Sequence, residues 1–308
     1  MNIAHSFRRF VRVARLAVLG PAAALCVHCH AAPPSGAPAG RAAPPATSAQ
    51  PKAADRGGAG KEIVRIDDEL TARRIAKDTF VVTHEPFFSS NVLVARMPDG
   101  AVLVGSSPFE TVASRALVGW IRATMSPTRI VAINTHFHFD GTGGNEAYRE
   151  LGVDTWASSL TQQLLRDVGP RMQTVSAAQT SHPGRRARVA AMRLVPAEHT
   201  FEAGKELEMG FGAERVRIVS PGPAHAPDNV VVWMPARGVV FGGCMIKSSD
   251  AAGFIGHADL EHWEEAVETV RALGARVVIP GHGAVGGPEL YDLTIRVVRR
   301  ELAARMRP

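Results

Sequence analysis

From Val81 onward, hydrophobic positions come in short blocks separated by turn-forming residues. Val81-Val82-Thr83, Asn91-Val92-Leu93-Val94 and Ala101-Val102-Leu103-Val104 are β-prone runs, and Pro98-Asp99-Gly100 is a turn signal between the last two. Together they predict an antiparallel meander. Thr111 to Thr124 then carries apolar residues at helical spacing, and Ile130-Val131-Ala132-Ile133 is an apolar run that ends at a cluster of histidines, so a helix followed by a strand is expected. Asn145 to Leu151 and Leu160 to Arg166 read as helices. Val175 to Leu194 reads as a helical stretch broken at Pro183-Gly184, an insert placed to cover a site. Strands are expected at Arg215 to Val219, Val230 to Met234, Val239 to Phe241 and Val277 to Ile279, with helices at Glu261 to Leu273 and Glu289 to Arg305. Strands that alternate first with turns and later with helices predict a layered α/β domain built on a mixed sheet or sheets.

The pattern before Val81 is of another kind. Arg8, Arg9, Arg12 and Arg15 precede an apolar stretch from Leu16 to Val27 with no acidic residue among them, and Cys29-His30-Ala31 follows with small residues at its first and third positions. Residues 1–31 therefore read as a signal peptide cleaved after Ala31. The stretch is shorter than the roughly 20 apolar residues a membrane span needs, and Pro21 interrupts it, so export with removal is expected instead of an anchor. The Arg8-Arg9 pair leaves the export route open. Residues 32–60 are dominated by Ala, Pro and Gly and predict a disordered linker, leaving residues 61–308 as the folded domain. A periplasmic location follows.

Charge adds an exclusion. The chain of 308 residues carries a formal net charge of +6, of which the four arginines of the signal segment supply +4; Arg41, Lys52 and Arg56 against Asp55 supply the other +2. The domain is thus near neutral and shows no nucleic-acid footprint. After signal removal no membrane contact is expected, and the chain is expected to act as a monomer. Two of its three cysteines, Cys26 and Cys29, leave with the signal, so Cys244 stands alone as either a buried inert thiol or a functional one.

The chemistry concentrates at strand ends. In Thr135-His136-Phe137-His138-Phe139-Asp140-Gly141-Thr142-Gly143-Gly144, residues two apart would point to one side of an extended segment, bringing His136, His138 and Asp140 together. Two imidazoles and a carboxylate suit zinc, and the glycines let the loop close around it. His225 lies in the turn-rich loop from Pro221 to Asn229. Phe241-Gly242-Gly243-Cys244 and Ile279-Pro280-Gly281-His282-Gly283 each end a strand at a Gly-flanked soft ligand. Four strand ends presenting His, Asp or Cys imply one shared rim. His182, His199 and His262 fit surface or packing roles.

These residues resemble the metallo-β-lactamases of subclass B1 over nearly all of residues 62–305. Asn91-Val92-Leu93-Val94, Ser106-Ser107-Pro108-Phe109, the run from Ala132 to Asn145, Pro223-Ala224-His225, Phe241 to Lys247 and the long insert before Val195 look most like the São Paulo type. The resemblance implies a four-layer αβ/βα sandwich with two zinc ions at one edge of the facing sheets. His136, His138 and His225 would hold the first zinc; Asp140, Cys244 and His282 would hold the second. It further implies hydrolysis of the β-lactam amide bond of penicillins, cephalosporins and carbapenems by a zinc-bound hydroxide, with Asp140 orienting the nucleophile and Lys247 contacting the substrate carboxylate, and hence a part in antibiotic resistance. Phe87 and Phe88, between His84 and Ser90, pack either over the substrate or in the core.

Competing members of the superfold that cleave thioesters, resembling glyoxalase II, carry a histidine after the aspartate and a bridging aspartate at the cysteine position. Here those positions are Gly141 and Cys244. A zinc-binding module without catalysis is the other alternative, with the same ligand set. Two departures from the subclass stand out. In Gly253-Phe254-Ile255-Gly256-His257-Ala258, Phe254 replaces an asparagine at the substrate-binding position, so carbonyl stabilisation would fall to zinc and a backbone N–H. His257 replaces an acid behind the metal ligands, which is expected to alter metal affinity or pH dependence.

Overall fold

The computed structural model describes residues 63–86 and 89–306. The expected signal peptide, the linker, and Phe87 and Phe88 lie outside the described residues.

Thirteen strands form two sheets among the described residues. The first runs in chain order through β1 (Ile63–Arg65), β2 (Leu70–Ala76), β3 (Thr79–His84), β4 (Ser90–Arg96), β5 (Val102–Gly105), β6 (Ile130–Ile133), β7 (Asp154–Ser158) and β8 (His199–Phe201). Its β1 to β5 half is antiparallel, with β3 to β5 forming the meander the apolar blocks predict and β1 and β2 extending it, and β5 to β8 are parallel. Parallel neighbours need crossovers. Helix α1 (Thr111–Met125) makes the first, and the short α2 (Phe139–Thr142) and α3 (Asn145–Glu150) make the second. Helices α4 (Ser159–Asp167), α5 (Gly169–Gln179) and α6 (Pro183–Ala191) make the third. The second sheet has the order β13-β12-β11-β10-β9, with β9 (Leu207–Phe211), β10 (Glu214–Val219), β11 (Val231–Met234), β12 (Val239–Gly243) and β13 (Val277–Pro280). It is antiparallel except for β12 and β13, which α7 (Trp263–Arg271) connects, and α8 (Glu289–Arg305) follows.

Side-chain alternation assigns the layers. On β4, Leu93 and Ala95 enter a core shared with Phe211, Val216, Ile218, Val232, Met234 and Phe241 of the second sheet. Val92 and Val94 on the same strand pack instead with Leu117, Val118 and Ile121 of α1. On β11, Val232 and Met234 face the first sheet, while Val231 and Trp233 pack against Trp263, Val267 and Val270 of α7 and Ile295 and Val298 of α8. Strands buried on both faces read as unbroken apolar runs instead of alternating ones. The result is helix, sheet, sheet, helix: the αβ/βα sandwich.

The insert differs in detail from its sequence reading. Helix α5 begins at Gly169-Pro170, earlier than Val175, and the break falls at Thr180 to His182. Pro183 starts α6 instead of ending a helix, since a proline at the first helical position sacrifices no hydrogen bond. The His182 side chain accepts from the Arg185 amide and caps this helix. His199 stacks on Trp156 at 4.5 Å, and His262 pairs with Asp259 at 2.9 Å, so these three histidines have local structural partners.

Candidate metal centre

Both sheets deliver their strand ends to one edge. After β6 the chain bends at His136 to His138 and then makes the single helical turn α2, which His138 enters from extended backbone. The three donors therefore do not share one extended face. His136 and His138 project from the bend, and Asp140 joins them because the turn swings its carboxylate back, to 3.4 Å from His136 Nε2. Polar contacts fix that turn: Gly141 N–H donates to the His138 carbonyl at 2.8 Å, Thr142 Oγ1 to the same oxygen at 3.0 Å, and Asn134 Nδ2 to the Gly141 carbonyl at 2.7 Å. A Cβ on Gly141 would run into the His136 carbonyl, so only glycine fits there.

His225 enters from the loop between β10 and β11. Asn229 Oδ1 accepts the Ala226 N–H at 2.8 Å, and the Val230 N–H donates to the Thr135 carbonyl at 2.8 Å, which ties this loop to the first histidine segment. Cys244 follows β12 and His282 follows β13, joined where the Gly281 N–H donates to the Gly243 carbonyl at 2.7 Å. A Cβ on Gly281 would lie 2.5 Å from Cys244 Sγ.

The six side chains expected to act together are brought together. Cys244 Sγ lies 2.9 Å from Asp140 Oδ2 and 3.3 Å from His282 Nε2, and His282 Nε2 lies 3.1 Å from Asp140 Oδ2. Around the other side of Asp140, the His136, His138 and His225 rings stand 4.7 to 5.4 Å apart, with His138 Nδ1 3.1 Å from His225 Nε2. Asp140, Cys244 and His282 form one group able to hold a cation; His136, His138 and Asp140 form a second, and His136, His225 and Cys244 a third.

The electrostatics suit a cation. Burial holds the His138 and His225 imidazoles well below their ordinary range, so each keeps a free lone pair. Burial alone would raise Asp140, but His136 and His282 outweigh it and hold the carboxyl well below the usual carboxylate range. Burial and then Asp140 push the Cys244 thiol well up, and its S–H donates to Asp140 Oδ2. A cation here would displace that proton, as metal binding to thiols does. His136 Nε2 is buried and makes no hydrogen bond. Soft sulfur, neutral imidazole and one carboxylate together fit zinc.

Lys247 and Phe254 occupy different levels. Lys247 is 8% exposed, with Nζ 5.1 Å from the Trp263 ring centroid, and burial lowers its pKa while Cys244 and Asp140 oppose that. Phe254 is 58% exposed and lies at the rim, its ring 5.7 Å from that of His138.

Several site residues were not evident as such from sequence. Ser106, held at φ 76°, donates through Oγ to the Asp140 carbonyl at 2.7 Å and lies 3.0 Å from Thr135 Oγ1. Asn91 Nδ2 donates to the Pro280 and Gly283 carbonyls, both at 2.9 Å, and its N–H donates to the Gly281 carbonyl at 2.7 Å, clamping the His282 turn onto the first sheet. The buried Asp228 carboxyl is pushed up to about 6 by burial, against the opposing pull of His136.

Residues 85–282 match the model of the metallo-beta-lactamase superfamily, and the chain belongs to that family. A metallo-beta-lactamase type 2 of Bacteroides fragilis is 28% identical over 224 residues, which span 71% of this chain and 79% of the relative. Among solved structures, a metallo-beta-lactamase from Hirschia baltica superposes with a TM-score of 0.61 at 26% identity, covering 75% of this chain and 98% of its own. FIM-1 from Pseudomonas aeruginosa, solved in its mono-zinc form, gives 0.62 at 28% identity over 77% and 98%.

Proposed function

We propose that this chain is an exported, zinc-dependent β-lactamase of subclass B1, nearest the São Paulo type, which opens the amide of penicillins, cephalosporins and carbapenems. The observation that carries the reading is the convergence of six donors, His136, His138, His225, Asp140, Cys244 and His282, on one edge of the sandwich. Relatives named as metallo-beta-lactamases support the substrate class. Cys244 and Gly141 support a lactamase over the thioester hydrolases.

His136, His138 and His225 would hold one zinc, and Asp140, Cys244 and His282 a second. Bound zinc supplies Lewis acidity and brings the pKa of a coordinated water down to about 7. Asp140 is the only carboxylate among the six donors. Its Oδ1 faces His136 and its Oδ2 faces Cys244 and His282, so it stands between the two groups and would orient the attacking water. Lys247 adds a positive charge beside Cys244, where a substrate carboxylate would be drawn. Phe254, at the rim, offers an apolar wall but no side-chain donor.

Hydrolysis of nitrocefin by the purified protein, with and without chelator, tests the proposal. Turnover that stops in chelator and returns with zinc is expected. Full activity in chelator would overturn the metal role, and a zinc-loaded, folded protein inert on β-lactams would favour the binding module or another hydrolase. The export reading rests on the arginine-rich start and apolar stretch of residues 1–31. It predicts periplasmic protein beginning at Ala32, and uncleaved cytoplasmic protein would contradict it.

A further inference from the structure

His138 has two ring nitrogens, and both face other rings. Nδ1 points into the donor cluster, 3.1 Å from His225 Nε2, while Nε2 points outward, 2.9 Å from His257 Nδ1. A neutral imidazole carries one N–H and one lone pair. If Nδ1 offers its lone pair to the cluster, Nε2 must carry the hydrogen, and that hydrogen needs an acceptor in a buried setting. His257 Nδ1 is the hydrogen-bond partner the structure provides there.

We propose that His257 is a positioning residue that accepts the His138 Nε2–H and so holds His138 in the tautomer and orientation that binds metal through Nδ1. His257 is built for that role. Its ring is wedged between Phe137 and Phe254, with both centroids 5.1 Å away. Its loop is fixed to the His225 loop where the Asp259 N–H donates to the Ala224 carbonyl at 2.9 Å. The His257 and His225 contacts of His138 are thereby set in one register. A neutral ring accepts less strongly than a carboxylate and adds no negative charge behind the ligand, so the site holds its metal less tightly than it would with an acid at this position.

This inference rests on the zinc-site reading above, and zinc affinity, not turnover, is what tests it. Zinc dissociation constants would be measured by chelator competition on the full chain and on three variants, each checked for cooperative unfolding. His257→Leu, which keeps bulk but accepts nothing, should weaken the zinc site built on His136, His138 and His225 by about ten- to a hundredfold. His257→Asn, whose Oδ1 can stand where Nδ1 stood, should recover most of that loss, and His257→Asp should bind more tightly than wild type. In the zinc-loaded wild type the His138 Nε2–H should also appear as a slowly exchanging imidazole resonance, absent in His257→Leu. Wild-type affinity in a folded His257→Leu protein would overturn the proposal while leaving the zinc site standing, as would an Asn variant no better than Leu. A wild-type chain that takes up no zinc would overturn both.

Discussion

Among the described residues, two places gather a buried histidine with one or more carboxylates, and only one of them is proposed to hold metal. At the strand-end site, Asp140, Cys244 and His282 lie within 3.3 Å of one another, and Lys247, the nearby cation, is turned over the Trp263 ring. At the other place, Glu69, His84 and Glu110 could also group around an ion by distance alone. There Arg188 has taken the cation's role. It donates to both oxygens of Glu69, at 2.7 and 2.9 Å, and its Nη1 lies 3.5 Å from Glu110. Glu110 also caps α1 by accepting the Val112 and Ala113 N–H groups at 2.9 and 3.0 Å, and His84 Nδ1 accepts the Phe109 N–H at 3.2 Å. Proximity of donors is common to both. What separates them is whether the protein itself neutralises the negative charge it buries.

Breaking the self-neutralised cluster should have the larger effect on stability. Arg188→Met leaves Glu110 without its cation and Glu69 with only Arg185, whose Nε lies 3.6 Å away, and should cost about 3 kcal/mol, the low end for a broken buried pair because the side chains of Arg188 and Glu69 are 26% and 23% exposed. Adding Glu69→Gln should recover part of the loss, and zinc content should not change. Urea unfolding and metal analysis of the single and double variants check this, and a single variant as stable as wild type would reject the account. At the metal site the same logic predicts an effect on affinity. Cys244→Ser replaces a soft thiolate by a hydroxyl poorly ionised at neutral pH, so zinc held with Asp140 and His282 should weaken by about a hundredfold or more while the three-histidine side is spared. Zinc titration should resolve two affinities moving apart, and equal loss at both would contradict the division of ligands.

The difference between the two clusters also marks what a sequence reveals. His136, His138, Asp140, His225, Cys244 and His282 are legible because each follows an apolar strand and sits beside glycines, a pattern local to a few residues. Asn91 is not, since its partners Pro280 and Gly283 lie 189 and 192 residues away and only the facing of the two sheets joins them. Ser106 and Arg188 are hidden because their partners Asp140 and Glu69 lie 34 and 119 residues away. Among the strands, β4, β5, β6 and β11 stand out because both faces are buried and the run is continuously apolar. β2, with Arg73 and Arg74 exposed at its centre, and β9, in which exposed Glu208 and Gly210 interrupt the apolar residues, show no such run. They become strands through pairing with their neighbours.

Lys247 sharpens the comparison from the substrate side. It stands beside Cys244 and Asp140 over the Trp263 ring, and a charge there would be available to a substrate carboxylate. A charged hydrogen bond contributes about 1.5 to 3 kcal/mol. Lys247→Glu should lower kcat/KM on β-lactams by about ten- to a hundredfold with zinc content nearly unchanged. A folded, zinc-loaded variant with wild-type kcat/KM would remove Lys247 from the site.

The smallest expected effect lies in the pH dependence of the second cluster. Burial takes His84 from its ordinary 6.5 down to about 4; Glu69 and Asp67 pull it upward, and Arg188 adds to the depression. Above pH 6.5 the ring is neutral in both folded and unfolded chains and adds no slope. Below 6.5 the unfolded chain takes up a proton that the folded one refuses until about pH 4, so stability is lost across that window as the pH falls. Between pH 7 and pH 5.5 the loss from this one group is about 1 kcal/mol. The other buried histidines titrate too, so the measurement is a difference: urea unfolding of zinc-loaded wild type and His84→Asn at both pH values. Asn keeps an acceptor for the Phe109 N–H and removes the titration. Wild type should lose about 1 kcal/mol more than the variant on acidification. Equal losses would mean that His84 is protonated in the folded protein, drawing Glu69 into an ion pair, and that the ring joins Arg188 and Arg185 in neutralising the second cluster.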